Sequence, residues 1–361
     1  MLKNVLVTGG AGFIGSNFIR YVQHKHPEAK LVNLDLLTYA GSLENFKNLP
    51  NPQNHRFVQG DICDQSLVEN LLRDEEIDTI VHFAAESHVD RSLKGPDAFI
   101  QTNIMGTFVL LEAARKVWLQ EQKFNGNSVR FHHISTDEVY GTLEPDDPAF
   151  EETTPYAPTS PYAASKASSD HLVRAYANSF GLPITISNCS NNYGPYQFPE
   201  KLIPLIILNA LTGKPLPIYG DGMQIRDWLY VEDHCDAIWS VLNKGKVGES
   251  YNVGGGNQPP NIEIVTTICT LLDEANPSSD FCPHAQLITY VTDRPGHDRR
   301  YAMNIDKIYQ ELDWKPSVDL QEGLRRTVNW YLNHIDWLTV IIKEKDYQNW
   351  VEINYQGREG Q

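Results

Sequence analysis

A glycine-rich turn near the amino terminus constrains the fold of this chain more than any other segment. The apolar run at residues 5–7 predicts a strand, residues 13–23 predict a helix, and Gly9, Gly12 and Gly15 lie at their junction. Glycines at such a junction let the backbone turn tightly and approach a pyrophosphate at the positive helix N-terminus. The GxxGxxG spacing is one residue wider than the GxGxxG dinucleotide fingerprint, and a tight turn without a ligand would use the same residues.

Asp35 favours the ligand-binding interpretation of that turn. It ends the second predicted strand, residues 31–35, about 20 residues after the glycines. A carboxylate there accepts hydrogen bonds from ribose hydroxyls and repels a 2′-phosphate, which favours NAD over NADP. Asp61 and Ile62 follow the third predicted strand and are placed to border the adenine. The sequence therefore predicts an NAD site.

Strand and helix patterns alternate through the first half of the chain. Further strands are predicted at residues 55–58, 79–83 and 129–134, and helices at 66–73 and 102–118. Such alternation is typical of a parallel sheet covered on both faces, so we expect an α/β fold with a Rossmann-like doubly wound sheet. The pattern loosens after about residue 185. We therefore predict an NAD-binding domain at 1–185, with a segment at about 220–245 crossing back, and a smaller C-terminal α/β substrate-binding domain at 186–361.

Composition excludes several classes of function. The formal net charge is −16, which argues against nucleic-acid or anionic-membrane partners. The longest apolar stretch, residues 202–211, is too short to span a bilayer. The five cysteines form no CxxC pair, which disfavours a disulfide framework or a zinc site and predicts a reducing cytoplasm and no metal.

Tyr162 and Lys166 form a candidate catalytic pair. They lie four residues apart in the helix predicted at 162–177, so both side chains share one face. An adjacent ammonium favours the tyrosine phenolate, which can take a hydroxyl proton while hydride leaves the same carbon. A YxxxK pair alone is usually an exposed helix pair. Here it follows the glycine turn and a strand ending at Thr136, an order that resembles the extended short-chain dehydrogenase/reductase family.

Asp137 and Glu138 follow that strand directly. Two carboxylates beside the substrate carbon suit a reaction that must deliver one proton and remove another, as an elimination of water requires. A solvated loop at the end of a strand would also be acidic, so the spacing alone leaves both interpretations open.

Longer segments narrow the resemblance to the dTDP-glucose 4,6-dehydratase family, and it runs essentially end to end. It rests on residues 84–92 (AAESHVDRS), 136–138 (TDE), 187–195 (SNCSNNYGP), 226–228 (RDW) and 293–297 (DRPGH). It implies that Tyr162, helped by Lys166 and Thr136, takes the proton of the sugar 4-hydroxyl while C4 hydride passes to NAD. Glu138 then removes the C5 proton, Asp137 protonates the departing C6 hydroxyl, and hydride returns to C6. NAD is thereby a tightly bound group that is recycled in each turnover.

The resemblance also implies two sets of ligand contacts. NAD would contact Gly9, Gly12, Phe13, Ile14, Gly15, Asp35, Leu36, Leu37, Thr38, Asp61, Ile62, Phe83, Ala84, Ala85, Thr102, Tyr162, Lys166 and Asn192. The nucleotide sugar would contact Ser87, Thr136, Asn191, Lys201, Leu202, Pro217, Ile218, Tyr219, Arg226, Asn261, Asp293, Arg294, His297 and Tyr355. From the residues alone, the Arg226 guanidinium could form a bidentate hydrogen bond with a diphosphate or pair with Asp227.

Other functions stay open at this point. A UDP- or GDP-sugar dehydratase would share the diphosphate and ribose contacts. A nucleotide-sugar 4-epimerase would need no acid and base at C5 and C6, and a non-catalytic NAD sensor could dispense with Tyr162 and Lys166. Apolar residues on the helices at 102–118 and 160–177 (Phe108, Leu111, Trp118, Leu172, Val173 and Tyr176) predict a four-helix homodimer interface, which the resemblance also implies.

Overall fold

The structure, a computed structural model, describes residues 3–122, 124, 129–293 and 297–343. Its strands are β1 (Asn4–Thr8), β2 (Lys30–Asp35), β3 (His55–Gln59), β4 (Thr79–His82), β5 (Arg130–Thr136), β6 (Ile184–Cys189), β7 (Asn191–Tyr193), β8 (Leu216–Tyr219), β9 (Trp228–Tyr230), β10 (Ser250–Val253) and β11 (Ile288–Val291). The strands predicted in the first half match β1 to β5 to within two residues at each end.

The helices begin and end close to the predicted positions where a prediction was made. They are α1 (Phe13–Lys25), α2 (Gln65–Asp74), α3 (Val89–Lys94), α4 (Asp97–Phe99), α5 (Thr107–Ala114), α6 (Pro161–Phe180), α7 (Leu202–Leu211), α8 (Val231–Lys244), α9 (Asn261–Ala275), α10 (Asp306–Leu312), α11 (Leu320–Asn333) and α12 (Ile335–Lys343). Two π-helical segments, Ile100–Gly106 and Arg115–Gln120, extend α5 into one helical stretch that begins at α4. Among the described residues, no helix is long and apolar enough to cross a bilayer.

Seven parallel strands form the central sheet in the order β10-β6-β5-β4-β1-β2-β3. The strand order reverses at β1, because the chain runs outward to β2 and β3 and then returns to β4 on the other side. The crevice at the carboxyl ends of β1 and β4 is the position where open α/β sheets bind ligands. The predicted doubly wound parallel sheet is confirmed.

Helices cover both faces of this sheet, which explains its almost continuously apolar strands. On one face, α1 packs against α8, and Val231, Cys235 and Ile238 of α8 share an apolar core with Val5 and Val7 of β1. On the other face, α2, α5 and α6 pack over β1, β4 and β5 through a core that includes Leu72, Leu110, Ala114, Phe131 and Val173. The sheet is therefore buried on both faces.

A separate apolar core lies in the second half of the chain. It joins α7, α9, α11 and α12 to the short strands β8 and β9, with Ile207, Val265, Val328 and Trp337 among its buried members. Both β6, which spans residue 185, and the later β10 belong to the central sheet. The chain therefore contributes to the sheet on both sides of the predicted boundary, and the division into two domains stays a prediction.

The residues used to predict a helix interface are mostly internal. Leu111, Trp118, Val173 and Tyr176 are buried in the core beneath the sheet, because α5 and α6 pack against each other within one chain. Phe108 remains exposed, at 38% of its surface. We predicted that these six apolar side chains are more than the core of one chain needs. That prediction was wrong for these four, which the core buries. Ile100, Met105 and Phe180 are exposed apolar residues of the same helices that the sequence argument did not use.

Candidate active site

The glycine turn opens directly into α1. Gly12 is the N-cap of α1 and has no side chain to cap the first turn, so the helix N-terminus is available to a ligand. Gly9 has φ 70°, and a Cβ there would lie 2.5 Å from the Ala84 backbone nitrogen. A Cβ on Gly15 would lie 2.5 Å from the Gly9 carbonyl oxygen. Two of the glycines therefore serve close backbone packing, while a Cβ on Gly12 would contact only the Gly9 oxygen, at 3.3 Å.

Asp35 lies beside this turn at the end of β2. Its Oδ2 accepts a hydrogen bond from the Ala11 backbone N–H at 2.8 Å, and its Oδ1 accepts one from Leu37 N–H, also at 2.8 Å. These bonds fix the carboxylate at the edge of the cavity and leave lone pairs for two ribose hydroxyls. Burial raises the pKa of Asp35, and the two backbone hydrogen bonds oppose that shift. The free acceptor positions of this carboxylate fit the ribose hydroxyls of a dinucleotide whose pyrophosphate lies at α1.

One continuous cavity runs from the glycine turn to the carboxyl end of β5. Its lining includes most of the predicted NAD contacts, namely Gly9, Gly12, Phe13, Ile14, Gly15, Asp35, Leu36, Thr38, Asp61, Ile62, Phe83, Ala84, Ala85, Thr102, Tyr162, Lys166 and Asn192. Leu37 is not among the lining residues, although its N–H holds Asp35. The five predicted catalytic residues Thr136, Asp137, Glu138, Tyr162 and Lys166 line the same cavity.

Local sequence explains how the catalytic side chains converge. Thr136 ends β5 and caps the 3-10 helix Asp137–Tyr140 by accepting a hydrogen bond from the Glu138 N–H at 3.3 Å. Ser160 caps α6 and accepts from the Ala163 N–H at 3.1 Å, so Tyr162 lies in the first turn of that helix. The two helix starts place the acidic pair and the tyrosine at the same end of the sheet.

Asp137 has a raised pKa, as a general acid requires. It is 2% exposed, and burial together with the neighbouring carboxyls of Glu138 and Asp227 raises its pKa well above the ordinary value. A raised pKa favours the protonated, neutral form of the carboxyl group. Its Oδ1 accepts a hydrogen bond from the Thr136 hydroxyl at 3.2 Å, whereas Oδ2 has no hydrogen-bond partner among the described residues. One oxygen of Asp137 is thus left for a ligand.

Tyr162 does not behave as its spacing from Lys166 suggested. Burial, followed by the charges of Glu138 and Cys189, raises the pKa of Tyr162 well above its ordinary value, and a hydrogen bond with Thr136 opposes this. Burial also lowers the pKa of Lys166 to about 8. The Lys166 ammonium donates to the Ile134 carbonyl at 2.7 Å. The chain alone therefore opposes the phenolate, and a positively charged ligand would be needed to favour it.

A buried carboxylate behind Lys166 was missed by the sequence argument. Asp170 is 0% exposed, and its Oδ1 lies 3.2 Å from Nε2 of His133, which is itself 3.4 Å from the Lys166 ammonium. Its Oδ2 accepts from Ser135 and Tyr156, both at 2.8 Å. The continued four-residue spacing from Tyr162 through Lys166 to Asp170 is the signal that could have revealed it.

The predicted sugar-nucleotide contacts fall in two places. Ser87, Thr136, Asn191 and Lys201 line the main cavity, and the Lys201 ammonium donates to the Ser87 carbonyl at 3.1 Å. Other predicted positions do not line this cavity in the described part of the chain, namely Leu202, Pro217, Ile218, Tyr219, Arg226, Asn261, Asp293 and His297. Arg294 and Tyr355 lie outside the described residues.

Several of those positions form a polar cluster of their own. Asp293 Oδ1 is 2.6 Å from His297 Nδ1, and the Gln224 amide donates to Asp293 Oδ2 at 2.8 Å. The Tyr219 hydroxyl donates to Asp90 at 3.4 Å, and its ring centroid lies 6.1 Å from that of His297. The structure therefore brings Tyr219, Asp293 and His297 together, as a shared ligand would require.

The Arg226 guanidinium stacks on an aromatic ring. It lies 4.4 Å from the Tyr301 ring centroid and donates to the backbone carbonyls of Ile225 and Asp298. Asp227 accepts instead from the Ser190 hydroxyl at 3.0 Å and the Gly255 N–H at 2.6 Å.

The cavity also contains Glu86, Gln197 and Glu200, which sequence reasoning did not select because isolated polar residues in loops give no spacing signal.

Comparison with known proteins identifies the family. The family model described as GDP-mannose 4,6 dehydratase matches residues 6–327. A dTDP-glucose 4,6-dehydratase of Shigella flexneri is 55% identical and aligns over 98% of this chain and 99% of its own. A dTDP-glucose 4,6-dehydratase of Escherichia coli K12 is 54% identical with the same coverage.

Solved structures give a concordant result. A dTDP-glucose 4,6-dehydratase of Bacillus anthracis in complex with NAD superposes with a TM-score of 0.83 at 45% identity, covering 94% of this chain and 99% of the other. The Streptomyces venezuelae enzyme of that name, solved with NAD bound, gives 0.84 at 43% identity with the same coverage. A UDP-glucose 4-epimerase of Thermotoga maritima gives 0.79 at only 28%, covering 92% and 99%. The chain belongs to the dTDP-glucose 4,6-dehydratase family.

Proposed function

We propose that this protein converts dTDP-glucose to dTDP-4-keto-6-deoxyglucose, with NAD held in the cavity above the glycine turn. The observation that carries the proposal is the buried Asp137 carboxyl beside Glu138, in one cavity with Tyr162 and Lys166. When bound, NAD supplies a positively charged ring that accepts the hydride from C4 of the sugar and returns it to C6. The residues of the chain move the protons.

The first proton leaves the sugar 4-hydroxyl. Tyr162 accepts it at its phenolic oxygen, which the positive charges of Lys166 and of the bound cofactor favour as phenolate against the opposing effect of burial. Thr136, which lines the same cavity as Tyr162, holds the 4-oxygen in line. The resulting 4-keto group acidifies the hydrogen on C5.

In the elimination, one carboxyl group acts as a base and the other as an acid. Glu138 takes the proton from C5. Asp137, whose raised pKa favours its protonated form, gives a proton to the C6 hydroxyl so that it leaves as water. C5 regains a proton from Glu138 when hydride adds to C6. Neighbouring groups with separate environments thus supply an acid and a base within one site.

Two alternatives make different use of these residues. A 4-epimerase returns hydride to C4 and needs no acid for C6, so the raised pKa of Asp137 favours the dehydratase. A GDP-sugar dehydratase would use the same acid and base, and the family model bears that substrate in its name. The identity of 54% to 55% with dTDP-glucose enzymes supports the thymidine nucleotide.

Incubation of the purified protein with dTDP-glucose, UDP-glucose or GDP-mannose, without added cofactor, tests this function. Mass spectrometry should detect loss of water from dTDP-glucose first and fastest, because a recycled cofactor is carried by the protein. Preferential dehydration of either other nucleotide sugar would refute the assignment of the substrate. A requirement for stoichiometric NAD would refute the recycling.

We also propose that the protein acts as a homodimer in the cytoplasm. The exposed apolar side chains Ile100, Met105, Phe108 and Phe180 support an interface between two copies that is formed by α6 and the helical stretch containing α5, because several exposed apolar side chains on neighbouring helices favour association. All five cysteines are free thiols, which suits a reducing compartment. Sedimentation of the parent and of Phe108→Glu tests the interface. A monomeric parent at micromolar concentration would refute it.

A further inference from the structure

Three successive hydrogen bonds connect the C-terminal helix α12 with the glycine turn. The Trp337 indole N–H of α12 donates to Asn45 Oδ1 at 2.8 Å, and the Asn45 amide Nδ2 donates to the Ala11 carbonyl, also at 2.8 Å. The Ala11 N–H in turn donates to Asp35 Oδ2 at 2.8 Å. All four residues are buried. The chain of hydrogen bonds thus ends on the carboxylate that is placed for the ribose hydroxyls of NAD.

The partners of the Asn45 amide fix its orientation. An indole nitrogen only donates and a backbone carbonyl only accepts. Asn45 therefore turns Oδ1 to Trp337 and Nδ2 to Ala11, because the opposite orientation would place donor against donor and acceptor against acceptor. The Ala11 carbonyl, which also accepts from the Ser42 N–H at 3.1 Å, belongs to the peptide group that enters α1 at Gly12. Asn45 thus holds the backbone directly before the helix N-terminus that faces the pyrophosphate.

A second contact connects the same segment to α1. Asn45 lies in the 3-10 helix Leu43–Phe46, and its backbone carbonyl accepts a hydrogen bond from the Arg20 guanidinium of α1 at 2.7 Å. That guanidinium lies 4.6 Å from the Tyr196 ring centroid, and the Tyr196 ring lies 5.9 Å from the Trp337 ring. The glycine turn and α1 are therefore both anchored on aromatic side chains from the second half of the chain.

We propose that Asn45 and Trp337 are positioning residues for NAD, which hold the glycine turn and Asp35 in the geometry that retains the cofactor between turnovers. This inference rests on the proposed function, in which one NAD serves many turnovers. Neither Asn45 nor Trp337 is among the described residues that line the cavity, so both act on the cofactor through Ala11. Retention of NAD thereby depends on α12, which follows the segment matched by the family model, residues 6–327.

The rate at which bound NAD exchanges with free NAD tests this role. The parent and each variant are loaded with carbon-13 NAD and mixed with excess unlabelled NAD, and the retained label is followed by mass spectrometry. Trp337→Phe keeps an aromatic ring and removes the indole N–H. We expect it to release NAD about tenfold faster than the parent, the scale of one buried hydrogen bond left unmade.

Trp330→Phe is the matched control. It makes the same change in the adjoining ring, whose centroid lies 5.1 Å from that of Trp337, and it keeps the bond between Trp337 and Asn45. NAD should therefore exchange at the parental rate in Trp330→Phe. Binding of dTDP, measured by calorimetric titration, should stay parental in Trp337→Phe, because the lost bond lies behind the cofactor and not beside the sugar nucleotide.

Asn45→Ala tests the same bonds without altering the aromatic rings. It should release NAD at least as fast as Trp337→Phe, and the double variant should release it no faster than Asn45→Ala, because the indole acts through the amide. Parental exchange in Trp337→Phe or Asn45→Ala, multiplied effects in the double variant, or an equal weakening of dTDP binding would overturn the proposal. If the parent itself retains no NAD, it is the proposed function that fails.

Discussion

Replacing Asp170 by Asn removes the negative charge buried behind the catalytic lysine while keeping the shape of the side chain. Burial alone would raise the pKa of Asp170, but the hydrogen bond and charge of His133 and the charge of Lys166 hold it below its ordinary value. Asp170 is therefore an ionised group inside the protein. Its loss leaves the Lys166 ammonium without that partner and the Ser135 and Tyr156 hydroxyls with a weaker acceptor.

The expected loss of stability follows from this burial. Removing one member of a buried charged pair costs about 3–5 kcal/mol, a large share of a typical total of about 5–15 kcal/mol. Because the native pKa of Asp170 is depressed, its contribution is fully present above about pH 4, the ordinary range of an unfolded carboxyl, and is lost as the pH falls through the lower native value. The difference between the parent and Asp170→Asn should therefore narrow in acid.

The effect on activity also becomes smaller as the pH falls, but over a higher pH range. Asp170 raises the pKa of Lys166 toward the value of about 8, against the larger effect of burial. A fall of about one unit in Asp170→Asn would reduce the charged fraction of Lys166 at pH 8 from about half to about a tenth, and would change it little at pH 6. The rate of C4 oxidation should thus fall about fivefold more at pH 8 than at pH 6.

Urea unfolding and rapid-mixing absorbance of the reduced nicotinamide measure these two effects. Asp280→Asn, the same chemical change at an exposed position, is the control and should leave both unchanged. An Asp170→Asn protein as stable as the parent, to within about 0.5 kcal/mol, would show that Asp170 is not an ionised partner in the folded state. If the ratio of the C4 oxidation rates at pH 8 and pH 6 is the same in Asp170→Asn as in the parent, Asp170 does not raise the pKa of Lys166.

Three further predictions concern the cavity. Asp137→Asn and Glu138→Gln should slow water loss by about 10²-fold or more while reduced cofactor accumulates, whereas Tyr162→Phe should form little reduced cofactor. If mass spectrometry shows that the two carboxyl variants lose water at the rate of the parent, the acid and base roles are contradicted. Asp35→Ser should bind NADP more tightly than the parent in calorimetric titration, because a carboxylate no longer faces the 2′-phosphate. Gly15→Ala should purify with little cofactor, since its Cβ would lie 2.5 Å from the Gly9 carbonyl oxygen; parental cofactor content by absorbance would contradict this.

The sequence predicted the elements that depend on local pattern. The glycine turn, the apolar strands and the helix containing Tyr162 each have a signal within about 20 residues, and the doubly wound sheet follows from their alternation. Asp170 could have been found by extending the four-residue spacing along α6, but its partner His133 lies on the strand β5. Their distance of 3.2 Å depends on how α6 packs over β5.

Properties set by burial could not be read from the sequence. The proximity of Lys166 to Tyr162 on the helix suggested a lowered tyrosine pKa, yet enclosure by the sheet raises it. For the same reason, the sequence assigned Leu111 and Trp118 to an interface between two copies, although the core of one chain buries them. Spacing predicts which side chains share a face, whereas tertiary packing decides which faces are internal.

The central claim is that hydride moves from C4 to C6 within one sugar through a cofactor that never leaves the protein. Incubating the parent enzyme with an equal mixture of dTDP-glucose deuterated at C4 and dTDP-glucose labelled with carbon-13, without added NAD, tests it directly. We predict that the deuterium appears at C6 only in products that lack carbon-13. Deuterium in the carbon-13 product, or its loss from both products, would contradict the account.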